Sequence, residues 1–463
     1  MSLKSIATAA CPRFLQPWWR RLWASPLAGR LSQAALWSLL GAGASRGLAL
    51  LGGIAVARFL GREGFGQLGI LLSTVQMFGI LAGFGLGLTA AKHIAECRQA
   101  DPLKAGRILA LSGVSAVLAS GLAAVLLVAL APWLASQTLA APHLQGPLRL
   151  SAALLFFTGL TGAQAGVLSS FEAFKTLAWI NCLAGALGLP LLILATHWGR
   201  LQGALGGFIA WQAAAWCLGH FAIRRQARQA GVRFLLRGCR SELPILWKFT
   251  LPAVLSAAMV APVNWACNAL LVHQPQGYAQ VGLFNAANQW FNALQLLPVV
   301  LGQAFLPILA ERHGAGDHQR TGRILLAAFR LNLLTVLPVV LLLCLLSPWV
   351  MSCYGPDFRQ GWSTLVLVLV TAGLLAGQTP AGQFIVARGR MWLGFCFNLG
   401  WAVAFLLSTT ALVALGALGL ATARLLAYVL HTLWTCGYVL LYYRRHPLGA
   451  PKELLARPEE VGH

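Results

Sequence analysis

An all-α polytopic membrane protein, with about twelve transmembrane helices in two six-helix bundles around a central cavity, is the fold this sequence predicts. Three observations predict it. Of the 463 residues, 58% are hydrophobic and only 10% charged, against about 25% charged in an ordinary soluble domain. Apolar runs of roughly twenty residues, the length that crosses a bilayer, follow one another with short polar or Gly/Pro breaks between them. One helix is also written twice: GFGQLGILLSTVQMF, Gly64 to Phe78, returns as GYAQVGLFNAANQWF, Gly277 to Phe291.

The runs are continuously apolar rather than alternating, which predicts helices and not a barrel. Spans are expected to start near Ser38, Gly66, Ile108, Leu148, Leu177, Gly203, Phe249, Val281, Ile324, Thr364, Met391 and Leu415. Residues 1–33 form a basic cytoplasmic segment without the long apolar stretch of a signal peptide. Its Trp18, Trp19 and Trp23 suit either a segment lying on the anionic inner leaflet or a loosely ordered tail. Residues 34–223 make the first six-helix bundle and 224–247 a basic cytoplasmic linker. Residues 248–443 make the second bundle and 444–463 a cytoplasmic tail. Trp133, Trp198, Trp247, Trp349 and Trp392 stand at span ends, where amphipathic rings anchor at headgroups.

Orientation follows from the basic residues. With the N-terminus inside, 27 of the 34 Lys and Arg fall in cytoplasmic segments, five in outer loops and two, Arg46 and Arg424, within spans. Both termini are then cytoplasmic, and a plasma (inner) membrane location is expected. The same bias accounts for most of the net charge of +23, so no nucleic-acid partner is needed to explain it. The ten Cys show no disulfide or metal-ligand spacing. No cofactor or metal is expected.

The two copies of the repeat start the second and eighth spans. Six helices apart is an even number, so both cross the membrane in the same direction. That predicts two bundles related by an axis along the membrane normal, with a substrate site between them, a recurrent transporter plan. The helices from Gly66 and Val281 should then both line the cleft.

The run ASRGLALLGGIAVARFLGREGFGQLG carries an arginine inside the first helix, followed by A-R-x-L-G-x-x-x-F-G at Ala57, Arg58, Leu60, Gly61, Phe65 and Gly66. It resembles the opening of the Wzx-type polysaccharide flippases, in the multidrug/oligosaccharidyl-lipid/polysaccharide exporter superfamily. LGQAFLPILAERHGAGD is similar too, with Pro307 expected to close the eighth helix before a polar cytoplasmic loop. The resemblance implies a central cavity that passes lipid-linked sugars from the inner to the outer leaflet. Lipid II flippases of the superfamily carry fourteen helices, a difference from the twelve expected here.

The polar residues inside the spans speak to substrate chemistry on their own. All eleven acids lie in loops or termini. Arg46 and Arg424, deep in their spans, should face a wet cavity or a partner. A diphosphate joining sugar to a polyprenyl carrier fits a guanidinium fork; snorkelling or helix packing is the competing role. In the eighth span Asn285, Asn288, Gln289, Asn292 and Gln295 fall at steps of three and four, one helix face. With Asn264, Asn268 and Gln76 they are read as a cavity lining suited to sugar hydroxyls, against the alternative of interhelical hydrogen bonding. His431 is read as a packing residue, and Arg58 as a solvated residue at the outer mouth. Pro190, Pro252, Pro262, Pro298, Pro338, Pro380 and the glycines Gly79, Gly83, Gly85 and Gly87 permit kinks.

The leading function is a flippase for polyprenyl-diphosphate-linked oligosaccharide in O-antigen, capsule or exopolysaccharide assembly, working by alternating access. A multidrug/cation antiporter of the same superfamily is the alternative, disfavoured because cation binding calls for acids within the membrane. An enzyme is disfavoured because the outer loops are short and hold almost no titratable groups. Expected partners are the lipid-linked substrate, membrane lipids, and a polysaccharide polymerase and chain-length protein; a monomer is expected.

Overall fold

The computed structural model describes residues 26–82, 84–236, 238–245, 258–314 and 318–445. Every regular element among them is helical: α1 (Pro26–Gly79), α2 (Phe84–Cys97), α3 (Pro102–Trp133), α4 (Gln145–Ser170), α5 (Phe174–Gln229), α6 (Val260–Val272), α7 (Gly277–Leu294), α8 (Leu296–Gly314), α9 (His318–Leu345), α10 (Ser347–Ser352), α11 (Trp362–Ala387), α12 (Met391–Leu412) and α13 (Gly416–Arg445). The N-terminal segment to residue 25, the span start expected at Phe249 with Pro252, and the tail beyond residue 445 lie outside the described residues.

Among the described residues, seven continuous helical stretches are long and apolar enough to cross a membrane. Three of them, of 43, 56 and 54 residues, far exceed the roughly twenty that one crossing needs, and each breaks internally. At Gly61 the backbone takes φ 70° and ψ −179°, a conformation open to glycine. The chain reverses there. Arg62 and Gly66 lie against α7 at Gly282 and Tyr278, Gly69 lies against Asn285, yet Gly53 lies against Gln289, further along still. Only an antiparallel turn at Gly61 brings residue 53 to that level. At Arg200 (φ 49°) a second hairpin forms, with Gly203 against the Ala195 carbonyl and Gly207 against Leu192. The Arg200 Nη1 donates to the Phe59 carbonyl at 2.8 Å, tying the two hairpin tips together. The third break is a single 3-10 turn, Val413–Leu415, ending at Gly416 (φ 67°). Helix starts use ordinary chemistry: Asp101 caps α3 by accepting from the Lys104 N–H at 2.9 Å, with Pro102 at the first helical position.

The repeat extends beyond the matched letters. The second arm of α1 stops at Gly79 and helix resumes at Phe84; α7 stops at Leu294 and helix resumes at Leu296. Each copy thus breaks within two turns of its second glutamine, Gln76 or Gln289. α7 ends four residues before Pro298, the spacing at which a proline ring crowds a helix carbonyl and removes its hydrogen bond. This corrects the expectation for Pro307: α8 runs through that position to Gly314, and the break falls at Gln295 instead. A proline inside a membrane helix is tolerated where neighbours satisfy the freed carbonyl.

Helices α2 to α5 pack on one another and on α1, and α8, α9, α11, α12 and α13 form a second set; α1 meets α6 and α7 between them. The main core runs through this junction, with Leu68, Leu71, Val281 and Ala287 fully buried. The junction is tight because glycines stand where the helices cross. A Cβ on Gly66 would stand 1.7 Å from the Tyr278 carbonyl oxygen, so the backbones themselves touch, as small residues allow between membrane helices.

Gly66→Ala should therefore lower the Tm of the purified protein by an amount corresponding to about 1–3 kcal/mol of overpacking. Gly121→Ala, whose Cβ meets nothing within 4 Å, should leave it unchanged or raise it slightly. Equal Tm values for the two variants would show that the repeated helices do not touch.

Candidate functional site

A cavity of about 760 Å³ opens beside that contact, walled by α1, α6, α7 and α13. Eight of the ten residues read as substrate-binding line it. From α7 come Asn285, Asn288, Gln289 and Asn292; Asn264 and Asn268 come from α6, Gln76 from α1 and Arg424 from α13. Both glutamines of the repeat thus face the same space.

The other two stand apart. Gln295, at the α7–α8 break, donates from Nε2 to the Ala372 carbonyl at 3.0 Å and ties the junction to α11. Arg46 is not a lining residue, but Ala49, Gly53 and Val56 are. Steps of three, four and three place Arg46 on the same helix face, one turn past the cavity's edge. Its Nη1 is buried without a hydrogen-bond partner.

Among the described residues Arg424 is the one charged group in the lining, and it is only 5% exposed. Its Nη1 donates to Asn288 Oδ1 at 2.6 Å. Its guanidinium lies 3.8 Å from the Phe291 ring centroid, with Phe284 and Tyr428 about 6 Å away. Ring faces carry negative charge density, so three aromatics supply the stabilisation a carboxylate would otherwise give. The Nε remains buried and unpartnered, as do Asn268 Oδ1 and Asn285 Nδ2. Buried polar atoms are costly unless hydrogen-bonded, so these groups call for water or a polar ligand.

Acids are held elsewhere. Glu96, Glu172 and Glu242 pair with His93, Arg98 and Arg107, and no Asp or Glu is in the lining. His431 contacts Gln378, which also accepts from the Thr432 hydroxyl; this polar network joins α11 and α13 outside the cavity lining.

One end of the cavity is sealed by bonds between segments distant in sequence. Arg58 Nε donates to the Cys353 carbonyl at 2.6 Å, Tyr278 donates to the Leu139 carbonyl at 2.7 Å, and the His273 ring meets the Thr138 carbonyl at 3.0 Å. Phe65 packs on Tyr354 and Phe358, centroids 6.2 and 6.0 Å apart. Tyr354 is fully buried, and burial pushes its phenol pKa up. It stays protonated and donates to Gln289 Oε1 at 3.0 Å, linking the seal to the lining. Arg58, expected to be merely solvated, is exposed but bonded across the seal.

Sequence reading missed Phe284, Phe291, Tyr428 and Tyr354. Two signals were present: Phe291 is the last matched letter of the repeat, and Tyr428 follows Arg424 by one helical turn.

The family described as polysaccharide biosynthesis protein matches residues 31–313. The EPS I polysaccharide export inner membrane protein EpsE of Ralstonia nicotianae is 28% identical over 390 residues, 82% of this chain and 87% of that protein. EpsE of Ralstonia solanacearum is 28% identical over 399 residues, 84% and 89% of the two chains. Among solved structures, an inward-facing multidrug resistance MATE family transporter of the MOP superfamily gives a TM-score of 0.72 at 18% identity, over 89% of this chain and 95% of that one. The lipid II flippase MurJ, inward closed, gives 0.68 at 14% identity over 88% and 87%. These structures share the fold.

The geometry sets an accessibility order. In a cysteine-free background, Asn292→Cys and Gln76→Cys, both exposed in the lining, should react readily with a membrane-impermeant thiol reagent in the purified protein, while Gln295→Cys reacts slowly. Fast labelling at 295 with none at 292 would place the wet surface on the opposite face.

Proposed function

This chain belongs to the polysaccharide biosynthesis protein family, and from that premise we propose that it is a flippase for polyprenyl-diphosphate-linked oligosaccharide, a transporter and not an enzyme. One observation carries the substrate class: among the described residues the cavity is lined by seven amide side chains and a single charge, the cation of Arg424. Amides donate and accept, which suits many hydroxyl patterns. An arginine without a protein carboxylate suits an anion, and phosphate oxygens match its fork. A cation antiporter would meet a positive potential in this space.

The full architecture we propose is twelve spans in two six-helix bundles, 34–223 and 248–443, with both termini on the cytoplasmic side. The hairpin turns at Gly61, Arg200 and residues 413–415 support the count, since each divides one long stretch into two crossings. The parallel contact of the repeated helices supports the twofold relation along the membrane normal. In this reading the sealed end faces outward, and the sugar units travel from the inner to the outer leaflet. Arg46 lies at the opposite end, where an entering diphosphate meets it first, and Arg424 holds the charge deeper in. A polymerase and a chain-length protein of the same assembly line are the partners that would receive the product.

The test is complementation of a strain lacking the gene, scored by surface polysaccharide at matched protein level. Losing one charge-assisted phosphate contact costs about 1.5–3 kcal/mol, or about a ten- to hundredfold loss of binding. Arg46→Ala and Arg424→Ala should each lose export on that scale. Arg46→Lys should retain part of it if charge alone suffices, and little if the fork matters. Arg149→Ala, an exposed outer control, should export normally. Normal export by both alanine variants would remove the diphosphate reading.

A further inference from the structure

A second cavity, of about 960 Å³, lies away from the central one, where α3 and the second arm of α5 pack on either side of α4. Its walls and rim differ in chemistry. Leu109, Val117, Leu160 and Val167 make the walls apolar, while Arg224, Arg228 and Arg233 stand at one end. Arg224 and Arg228 are one turn apart on α5 and so share a face. Arg233 is brought back to them by the turn at Gly231 (φ 69°). It is fixed there: the Leu235 N–H donates to the Gly106 carbonyl at 3.3 Å, and the Arg233 carbonyl leaves no room for a Cβ on Gly106.

The three arginines are exposed, and no ion pair among the described residues involves them. Beside them the cavity opens sideways: Val117, Leu118 and Phe234 are 49%, 67% and 57% exposed, and on a membrane helix such faces meet acyl chains. From Leu109 to Leu118 the wall runs about 13 Å at roughly 1.5 Å per residue. A cationic rim above an apolar, laterally open crevice has the form of a lipid site, since basic pockets between transmembrane helices hold anionic headgroups.

We propose that this crevice binds an anionic glycerophospholipid of the surrounding bilayer. Its phosphate sits among Arg224, Arg228 and Arg233, and one acyl chain lies along α3 and α4. A soluble anion would leave the apolar walls unused, and a neutral lipid would leave three like charges uncompensated. The bound lipid would fasten the segment after α5 to the start of α3. This assignment does not depend on what the central cavity carries.

The test uses the full-length protein in phosphatidylcholine nanodiscs containing increasing phosphatidylglycerol. Wild-type Tm should rise with the phosphatidylglycerol fraction, and R224Q/R228Q/R233Q should lose most of that gain. A phosphatidylglycerol with a photoreactive acyl chain should label residues 109–118 and 216–234 in the wild type. Gly113→Phe, which fills the crevice without touching a charge, should suppress that label. The proposal is overturned if the triple variant keeps the wild-type gain or if the label falls elsewhere. It is equally overturned if inorganic phosphate alone reproduces the rise, or if a polyprenyl phosphate displaces the label and excess unlabelled phosphatidylglycerol does not. The labelling arm uses unaltered protein, so a misfolded triple variant does not blunt it.

Discussion

Everything in the centre of this molecule depends on two helices whose backbones meet at one crossing. Gly66 and Gly282 bring the second arm of α1 and α7 into backbone contact, a separation that any larger residue forbids. The same closeness places the amides. Asn285 occupies the space a Cβ on Gly69 would take, and Gln289 that of a Cβ on Gly53. Replacing those glycines would push the amides away from their positions. The polar lining and the packing are therefore one arrangement read from opposite sides.

Charge is the second constraint. A buried guanidinium normally needs a counterion, and none of the lining residues supplies one. Arg424 is kept instead by the Phe291 face, the Asn288 amide and two further rings. The arrangement leaves its positive field uncancelled by any fixed negative charge. A field of that sign attracts anions and repels cations.

Much of this was legible in the letters because membrane insertion imposes simple rules. Span length, the arginine bias and the cost of a polar group in hydrocarbon act locally, so the amides at steps of three and four announced a shared face. The Gly/Gln repeat announced a pairing. What stayed hidden depends on contacts between distant segments. Aromatic residues such as Phe284 and Tyr428 look like ordinary lipid-facing or core residues until the fold stacks them round Arg424. Arg46 shares the face of the lining residues and stands one turn past them, a difference that the position of a cavity's edge decides and composition does not. Pro307 and Pro298 are chemically identical breakers, yet only the second coincides with a break.

The contact between the repeated helices has one more property, and it concerns motion. Interdigitated side chains act like a ratchet: separating them means resetting rotamers and exposing freshly uncovered surface at every step. Two bare backbones act more like a bearing. At the crossing of Gly66 and Gly282 there are no rotamers to reset. Each of these helices ends soon after the crossing, at Gly79 in one and at Leu294 in the other. The smooth contact is therefore short, and each partner leaves it through a break in its own helix.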